Sequence, residues 1–464
     1  MTERTHTPRW AALAVVLTGT FMVVLDFFIV NVALPSMQVD LGASAGAIEW
    51  VVAGYGLTSA VFLITASRLG DRIGRRRAFA IGLGVFTLAS AACGLAPDPA
   101  VLVAARLVQG VGGALLMPNV LAIIGATYAG AERGRALGVY GLVMGLAAAS
   151  GQLIGGALVQ SVGWRACFLI NVPVGLAALA LAPRVVRETR GVAGTLDVLG
   201  TTLVTVGLTA IVLPLVEGRQ HGWPVWTWIS LAVAPAILGA FAAHQRRLER
   251  RGGAPMFAPA LLRARSFSAG LVTQLAFWCG QASFFLVLAL YLQQGRGLSA
   301  LQAGLVFTIL AVAYVVASAQ APALAARHGR RLLAAGALVL ASGHALLAVV
   351  VAAIGTGGSL ALVVPAFVLI GAGMGLVIVP LTTTIMSGVA AEHAGAASGA
   401  LSTMQSVGAA LGVAITGVIF FGALGGGYAH ALEMSLAQLA ALLVGVAALT
   451  RLLPAMRAHA VELA

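Results

Sequence analysis

Long apolar runs alternate with short polar segments along the whole chain, and this alternation is the dominant pattern in the sequence. A helix needs about 20 consecutive apolar residues to cross the roughly 30 Å hydrocarbon core of a bilayer. Runs of this length recur throughout, and many of the loops between them are short, so we predict fourteen membrane-spanning helices packed as antiparallel neighbours. Their predicted limits are 11–35, 46–67, 78–96, 99–126, 136–160, 164–183, 196–217, 224–243, 267–293, 299–322, 331–352, 358–385, 397–422 and 435–453.

Composition excludes most other classes of protein. Hydrophobic residues make up 60% of the 464 positions and charged residues only 9%, whereas a soluble domain carries about 25% charged residues. All basic residues other than histidine are arginine, so the chain lacks the lysine of a nucleotide-binding P-loop or of a Schiff base. The three cysteines show no metal-ligand spacing, and no metalloprotease or serine-hydrolase motif is present. We therefore predict a protein that is not an enzyme and has no cofactor.

The arginines predict the orientation in the membrane. Cytoplasmic loops of membrane proteins are rich in arginine and lysine. If the N-terminus is cytoplasmic and fourteen helices follow, 23 of the 27 arginines fall on the inner side, and Arg106, Arg165, Arg219 and Arg296 are the exceptions. The net charge of +13 is thus interpreted as a topology signal and not as a nucleic-acid surface. We expect a multi-pass protein of the cytoplasmic membrane with both termini in the cytoplasm.

Two halves of the chain resemble each other. Gly110-Val111-Gly112-Gly113 is followed by Pro118, and Gly371-Ala372-Gly373-Met374 is followed by Pro380, about 260 positions later. Repeats in the same orientation are typical of transporters, whose substrate site lies near the midplane. We predict a six-helix bundle over 1–190, two linker helices over 191–250 and a second six-helix bundle over 251–464.

Asp26 and Arg106 are the leading candidates for chemistry, because ionisable residues inside membrane spans are rare and usually functional. Asp26 lies about two-thirds of the way across the first span from the inner side, and Arg106 enters the fourth span from the outside. Their depths match well enough to permit an ion pair. The functional interpretation is a proton-binding carboxylate, and the alternative is a static ion pair that fixes two helices.

Two other segments carry distinctive patterns. The loop from Ser67 to Arg77 contains Asp71, Arg72, Gly74 and Arg75, which either anchor the topology or form an ionic latch that holds one conformation. The fifth span contains Gly151, Gln152, Gly155 and Gly156. Small residues let membrane helices approach closely, so helix packing and a bending or sliding surface are both open interpretations.

Further polar residues in the spans are candidates for the substrate cavity, although an interhelical hydrogen bond is the alternative for each. They are Asn31, Gln109, Asn119, Gln152, Gln274, Gln281, His344 and Gln405. Glu49 and Glu217 lie near the outer ends of spans, where we expect them to be solvated.

Four motifs resemble those of the fourteen-helix drug:proton antiporter branch of the major facilitator superfamily. Leu25-Asp26 through Pro35 is similar to its motif D, and Leu69-Gly70-Asp71-Arg72-Ile73-Gly74-Arg75-Arg76 to motif A. Arg106 through Gly113 is similar to motif B, and Gly151-Gln152-Leu153-Ile154-Gly155-Gly156 to motif C. The four occur in order, and with the helix count the likeness covers essentially the whole chain.

The resemblance implies a fold and roles. The fold is that of the major facilitators, with two six-helix bundles and two intervening helices. Asp26 would bind the proton, Arg106 would assist its transfer, Asp71 and nearby arginines would stabilise the outward-facing state, and motif C would shape a helix bend. Two positions depart from the pattern, because Ser67 replaces the first glycine of motif A and Gln152 replaces the proline of motif C.

The sequence thus predicts a proton-driven antiporter that exports a small lipophilic drug, antibiotic or secondary metabolite by alternating access. Its expected partners are the substrate, protons and membrane lipids, with no nucleic acid, and a monomer is expected from the resemblance. The alternative is a proton symporter or facilitative importer of a nutrient, which the fold also permits.

Overall fold

The computed structural model describes residues 9–128, 130–190, 197–253, 255, 264–386, 389 and 394–453. None of these residues lies in a strand. Fourteen helical segments within them are long and apolar enough to cross a membrane. The all-α fold class and the number of spans are therefore confirmed.

The helices up to the middle of the chain form the first part of the fold. They are α1 (Arg9–Leu41), α2 (Ala45–Ile73), α3 (Arg75–Gly94), α4 (Pro99–Thr127), α5 (Gly130–Ser161), α6 (Ala166–Leu169), α7 (Asn171–Val185), α8 (Val198–Gln220) and α9 (Val225–Arg250). The short α6 and α7 together make one candidate span, Ala166–Val185.

The remaining helices follow after residue 264. They are α10 (Arg265–Leu290), α11 (Ala300–His328), α12 (Arg330–Ile354), α13 (Val364–Met386), α14 (Ala394–Ala423) and α15 (Tyr428–Leu449). A π-helical turn, Tyr291–Gly295, continues α10, and a 3₁₀ turn, Leu360–Val363, precedes α13.

The chain folds into two compact units, Met1–Thr205 and Val206–Ala464, and their boundary lies inside α8. The predicted division into two bundles and a linker-helix pair remains a prediction. Its terminal limits, and the predicted cytoplasmic location of both chain ends, concern residues 1–8 and 454–464, which lie outside the described residues.

Several predicted helix limits are wrong. α1 continues past Pro35 to Leu41, because a proline is tolerated inside a membrane helix when neighbouring helices and local adjustments satisfy the freed backbone groups. α15 starts at Tyr428 instead of residue 435, since its first turns carry polar residues such as His430 and Glu433 that hydropathy assigns to a loop. The sixth span is broken near Ile170, where α6 ends.

Large apolar side chains hold the first unit together. Phe79 and Phe86 of α3, Leu116 of α4 and Met22 of α1 are almost fully buried in one cluster. A Cβ atom on Gly19 would lie only 2.8 Å from the Phe79 ring. α1, α3 and α4 are thus packed closely on the N-terminal side of Asp26 in α1 and on the C-terminal side of Arg106 in α4.

The two units repeat the same helix packing. α1 packs on α5 and α2 on α4 in the first unit, as α10 packs on α14 and α11 on α13 in the second. A Cβ atom on Gly151 would lie 2.8 Å from Phe28 Cβ and 3.2 Å from the Leu25 carbonyl oxygen. On Gly408 it would lie 3.1 Å from Trp278 Cβ and 2.6 Å from the Leu275 carbonyl oxygen.

The contact of α1 with α5 therefore corresponds to the contact of α10 with α14. Each contact residue of α10 has a number 250 higher than its counterpart in α1. Gly112 and Gly373 likewise approach the backbones of Phe86 in α3 and Leu340 in α12. These contacts support the internal repeat that the sequence predicted.

Candidate functional site

A buried ion pair between α1 and α4 is the centre of the candidate site. Arg106 Nη1 lies 2.5 Å from Asp26 Oδ2, and the two side chains are 1% and 0% exposed. Gln109 Nε2 donates to Asp26 Oδ1 at 2.9 Å, and its Oε1 accepts from Arg106 Nη1 at 2.7 Å. The carboxylate, the guanidinium and the amide thus form a closed triangle of charge-assisted hydrogen bonds.

Two helices that sequence reasoning did not connect to Asp26 complete its surroundings. Asn171, the first residue of α7, donates through Nδ2 to Asp26 Oδ1 at 3.3 Å and to Ser90 Oγ at 3.0 Å. Ser90 Oγ in turn donates to the Phe168 carbonyl oxygen at 2.9 Å. All three side-chain contacts of the Asp26 carboxylate come from donors, so the hydrogen bonding fits its ionised form.

Arg106 is held on its other side by α2. Its Nε donates to the Val51 carbonyl oxygen at 2.9 Å, and its guanidinium carbon lies 4.3 Å from the centre of the Tyr55 ring. A cation over an aromatic face is stabilised when both are removed from water. The guanidinium therefore keeps a backbone and an aromatic partner even without the carboxylate.

The predicted motif C places α5 directly against the segment of α1 that carries Asp26. A Cβ atom on Gly155 would lie 2.8 Å from Ile29 Cγ1 and 3.1 Å from the Ile29 carbonyl oxygen. Gly156 is buried as well. α5 is one uninterrupted helix through these glycines, with Gln152 in place of the family's proline. Gln152 is 2% exposed, and neither of its amide atoms has a hydrogen-bond partner.

The segment from Ser67 to Arg77, predicted as a loop, is helical except for Gly74, because α2 ends at Ile73 and α3 begins at Arg75. This α2–α3 junction forms a second polar cluster. Arg75 Nη2 lies 3.0 Å from Asp71 Oδ1, and Arg75 Nη1 donates to the Ala122 carbonyl oxygen in α4 at 3.2 Å. Gly74 has a φ of 109°, a value that glycine adopts without strain. Arg72 is exposed. Asp71 and Arg75 thus join the ends of α2, α3 and α4.

Glu188, which sequence reasoning missed, lies beside the same junction. Its Oε1 accepts from the Arg76 backbone N–H at 3.0 Å, and its Oε2 is 3.6 Å from Arg76 Nε and 3.8 Å from Arg77 Nε. The Arg75 backbone N–H donates to the Thr189 carbonyl oxygen at 2.8 Å. The segment after α7 therefore caps the N-terminus of α3, whose first N–H groups have no partner within the helix.

Two asparagines predicted for a substrate cavity bond to their own helices. Asn31 Nδ2 donates to the Phe27 carbonyl oxygen at 2.6 Å, and its Oδ1 has no hydrogen-bond partner. Asn119 Nδ2 donates to the Leu115 carbonyl oxygen at 2.7 Å. Both side chains are buried, and Asn119 contacts Gly70 of the α2–α3 region.

The candidates of the second unit do not converge on one cluster. Gln274 and Gln281 are 3% exposed, and the Oε1 atom of each has no hydrogen-bond partner. His344 Nδ1 lies 2.8 Å from the Leu340 carbonyl oxygen, and its ring packs edge-on against Phe284. Gln405 is half-buried.

The expectation that Glu49 is solvated is wrong. Glu49 is fully buried because it lies in the second turn of α2, where Ile48, Val51 and Ala53 are buried too. Glu217 is partly exposed and lies 3.8 Å from His221.

Fourteen apolar helical segments in the described residues, a helix packing that is repeated in the two units and a buried ion pair in the first unit define a multi-pass membrane transport protein. The chain belongs to the Major Facilitator Superfamily, whose sequence model matches residues 16–413. The family resemblance of the motifs is thereby confirmed, and members of this family are transporters and not enzymes.

Similar curated proteins are named as exporters or resistance proteins. A "Probable actinorhodin transporter" of Streptomyces coelicolor is 38% identical over 423 residues, covering 90% of this chain and 73% of the relative. The tetracenomycin C resistance and export protein of Streptomyces glaucescens is 35% identical, covering 89% and 78%. The methylenomycin A resistance protein of Bacillus subtilis is 32% identical and covers 95% of each chain.

Solved structures share the fold. A peptide transporter POT in complex with sulfate has a TM-score of 0.69 at 17% identity and covers 95% of both chains. A POT family transporter in complex with a thioalcohol-conjugated peptide has a TM-score of 0.68 at 16% identity and covers 94% of both. At this identity the likeness concerns the fold alone.

Proposed function

We propose that the protein is a proton-coupled exporter of a small lipophilic drug, antibiotic or secondary metabolite. The names of relatives at 32–38% identity, which include antibiotic export and resistance proteins, support the direction and the substrate class. The buried Asp26–Arg106 pair is the observation that carries the proton coupling. A carboxylate inside a membrane bundle is retained for a function far more often than for stability alone.

Proton binding at Asp26 would change the contacts among four helices. The ionised carboxylate accepts hydrogen bonds from Arg106 and Gln109 of α4 and from Asn171 of α7. A proton removes the negative charge that attracts Arg106, which keeps Gln109 of α4 and Val51 and Tyr55 of α2 as partners. The hydrogen bonds from α4 and α7 to Asp26 in α1 are therefore weaker when Asp26 is protonated and stronger when it is ionised.

Transport follows if the two protonation states favour different conformations. Substrate and proton are coupled only through their different affinities for those conformations. In the proposed cycle the substrate is taken up from the cytoplasm or inner leaflet while Asp26 is ionised. A proton from outside then binds Asp26 and drives the return. The Asp71–Arg75 pair serves as the latch of one conformation in this proposal, and Arg72 and Gly74 lie between its two members at the α2–α3 junction.

The proposal extends to the setting of the protein. It acts as a monomer in the cytoplasmic membrane with both termini inside, and the proton gradient supplies the energy without a cofactor. Candidate contacts for the substrate in the first unit are Asn31, Asn119 and Gln152, and in the second unit Gln274, Gln281, His344 and Gln405.

Everted membrane vesicles test the proposal. The vesicles are made acidic inside, the gradient is followed with a pH-sensitive dye, and lipophilic compounds are added one at a time. We expect dye dequenching with the wild type and none with Asp26→Asn. The matched control is Asp40→Asn on the same helix, where the carboxylate is half exposed and pairs with Arg165 at the helix end; it is expected to keep the response. Coupling that persists in Asp26→Asn contradicts the assignment.

A further inference from the structure

Gln152 is a buried polar side chain whose position the proposed coupling site does not explain. It is 2% exposed, and both Oε1 and Nε2 are without a hydrogen-bond partner. A primary amide can donate two hydrogen bonds and accept two. Leaving all of them unmade in a membrane bundle is strongly unfavourable. No group of the described residues supplies these hydrogen bonds in this conformation, which makes a bound molecule the candidate partner of the amide.

Gln152 lies at the depth of the coupling site. The neighbouring Gly151 packs against Leu25 and Phe28 of α1, and Gly155, one turn later, packs against Ile29. Asp26 lies between these α1 contacts in sequence. The amide of Gln152 is thus on a helix that touches the Asp26 segment directly, and a molecule bound to it would lie beside the helix whose contacts change on protonation.

An open glycine stripe leads along α5 to Gln152. Gly138, Gly141 and Gly145 precede Gln152 by fourteen, eleven and seven positions, a spacing that places all four on one helix face. At each of the three glycines, no atom of another described part of the chain lies within 4 Å of the position a Cβ atom would take. The stripe is about 21 Å long at 1.5 Å per residue, and its last member is the buried amide.

We propose that this α5 face, from Gly138 to Gln152, is a binding track for the exported substrate, and that Gln152 hydrogen-bonds a neutral hydroxyl or carbonyl group on it. This inference rests on the proposed export function and names the substrate class. Glycines without side chains leave a flat, apolar backbone surface, which fits a planar polycyclic molecule. The amide is uncharged, and the charges of Asp26 and Arg106 are already paired with each other, so the track recognises a neutral polar group.

Two fluorescent probes of equal size test the polar contact. 9-Anthracenemethanol carries one hydroxyl group, and 9-ethylanthracene has a methyl group in its place. Binding to the purified protein in lipid nanodiscs is followed by anthracene fluorescence. We expect the wild type to bind the alcohol about tenfold more tightly, the increment that one hydrogen bond to a buried partner provides. Gln152→Leu is expected to bind both probes equally and to keep the wild-type affinity for 9-ethylanthracene.

A second variant tests the track itself. Gly145→Val places a side chain in open space, so it is expected to fold and to weaken the binding of both probes about tenfold. The control is Leu153→Ala, at the exposed position next to Gln152, with both affinities expected within twofold of the wild type. Retained preference for the alcohol in Gln152→Leu, or unchanged binding in Gly145→Val, overturns the proposal.

The outcomes separate this inference from the export function. If the wild type exchanges protons for other compounds in everted vesicles but binds neither probe, the track proposal is wrong and the export function stands. If the wild type binds both probes as expected but no compound dequenches the dye, the proton-coupled function fails, and the track would belong to a transporter of another mechanism.

Discussion

Ala276 occupies the position in α10 that Asp26 occupies in α1. The contacts of Gly151 with Leu25 and Phe28 correspond to those of Gly408 with Leu275 and Trp278, which aligns the two helices residue by residue. By the correspondence of Gly110 with Gly371, Phe367 and Ile370 stand in α13 where Arg106 and Gln109 stand in α4. The second unit thus repeats the packing around the ion pair and has apolar residues in place of its charges.

The first prediction concerns this asymmetry. Moving the carboxylate to the second unit, by combining Asp26→Asn with Ala276→Asp, is expected to leave the everted-vesicle dye response as low as in Asp26→Asn alone. The reason is that the transferred carboxylate meets neither an arginine nor a glutamine at the corresponding positions of α13. Restored dequenching in the double variant would show that the surrounding polar groups are dispensable.

The second prediction concerns the energy of the ion pair. Arg106→Met leaves the Asp26 carboxylate buried without its cation, and breaking a buried pair in this way costs about 3–5 kcal/mol of unfolding free energy. Adding Asp26→Asn removes the unpaired charge and is expected to recover more than half of that loss. Chemical unfolding in mixed micelles measures the free energy of unfolding of both variants. If the effects of the two substitutions on this free energy simply added up, Asp26 and Arg106 would not interact directly.

The sequence was sufficient to locate the ion pair but not its neighbours. Asp26 and Arg106 are conspicuous because charged residues are rare in apolar spans. Asn171 and Ser90 are not, because uncharged polar residues are common there and usually bond within or between helices. Asn171 approaches Asp26 from 145 positions away, and hydropathy carries no information about which helix faces contact each other.

The number of helices was predicted better than their limits and their burial, because limits and burial depend on which helix faces contact each other. The number of spans follows from hydropathy alone, whereas the extension of α1 beyond Pro35 and the early start of α15 depend on local packing. Burial was also misjudged at Glu49, which is enclosed despite its place near a helix end. Glu188 lay among arginines that were interpreted only as topology signals, and its bond to the start of α3 requires the chain to fold back over 112 positions.

The third prediction concerns the contact between α5 and α1. Gly155→Ala puts a Cβ atom 2.8 Å from Ile29 Cγ1 and 3.1 Å from the Ile29 carbonyl oxygen, and such overpacking typically costs about 1–3 kcal/mol. The Cβ atom of Gly138→Ala, on the same helix, has no neighbour within 4 Å from the other helices that the structure describes. The unfolding free energy of this variant is expected to stay the same or rise by up to about 1 kcal/mol. Both variants replace a glycine by alanine in the same helix, so they share the same change in helix propensity. Equal effects on the free energy of unfolding would therefore rule out a close α1–α5 contact.

The fourth prediction concerns the cap of α3. Glu188→Gln keeps the shape of the side chain but removes the charge that interacts with Arg76, Arg77 and the positive end of the helix. A charge at a helix N-terminus contributes about 0.3–1 kcal/mol, and the partly buried ion pairs add to it. We therefore expect a loss of about 1–2 kcal/mol in the free energy of unfolding.

The control for this cap is Glu132→Gln. Glu132 lies 3.5 Å from Arg9, and the two side chains are 50% and 64% exposed, so the pair is screened by water and contributes little. Its loss is expected to stay below about 0.5 kcal/mol. If Glu188→Gln were no more destabilising than Glu132→Gln, the segment after α7 would not stabilise the start of α3. The α2–α3 junction would then be held only by the Asp71–Arg75 pair and the bond from Arg75 to α4.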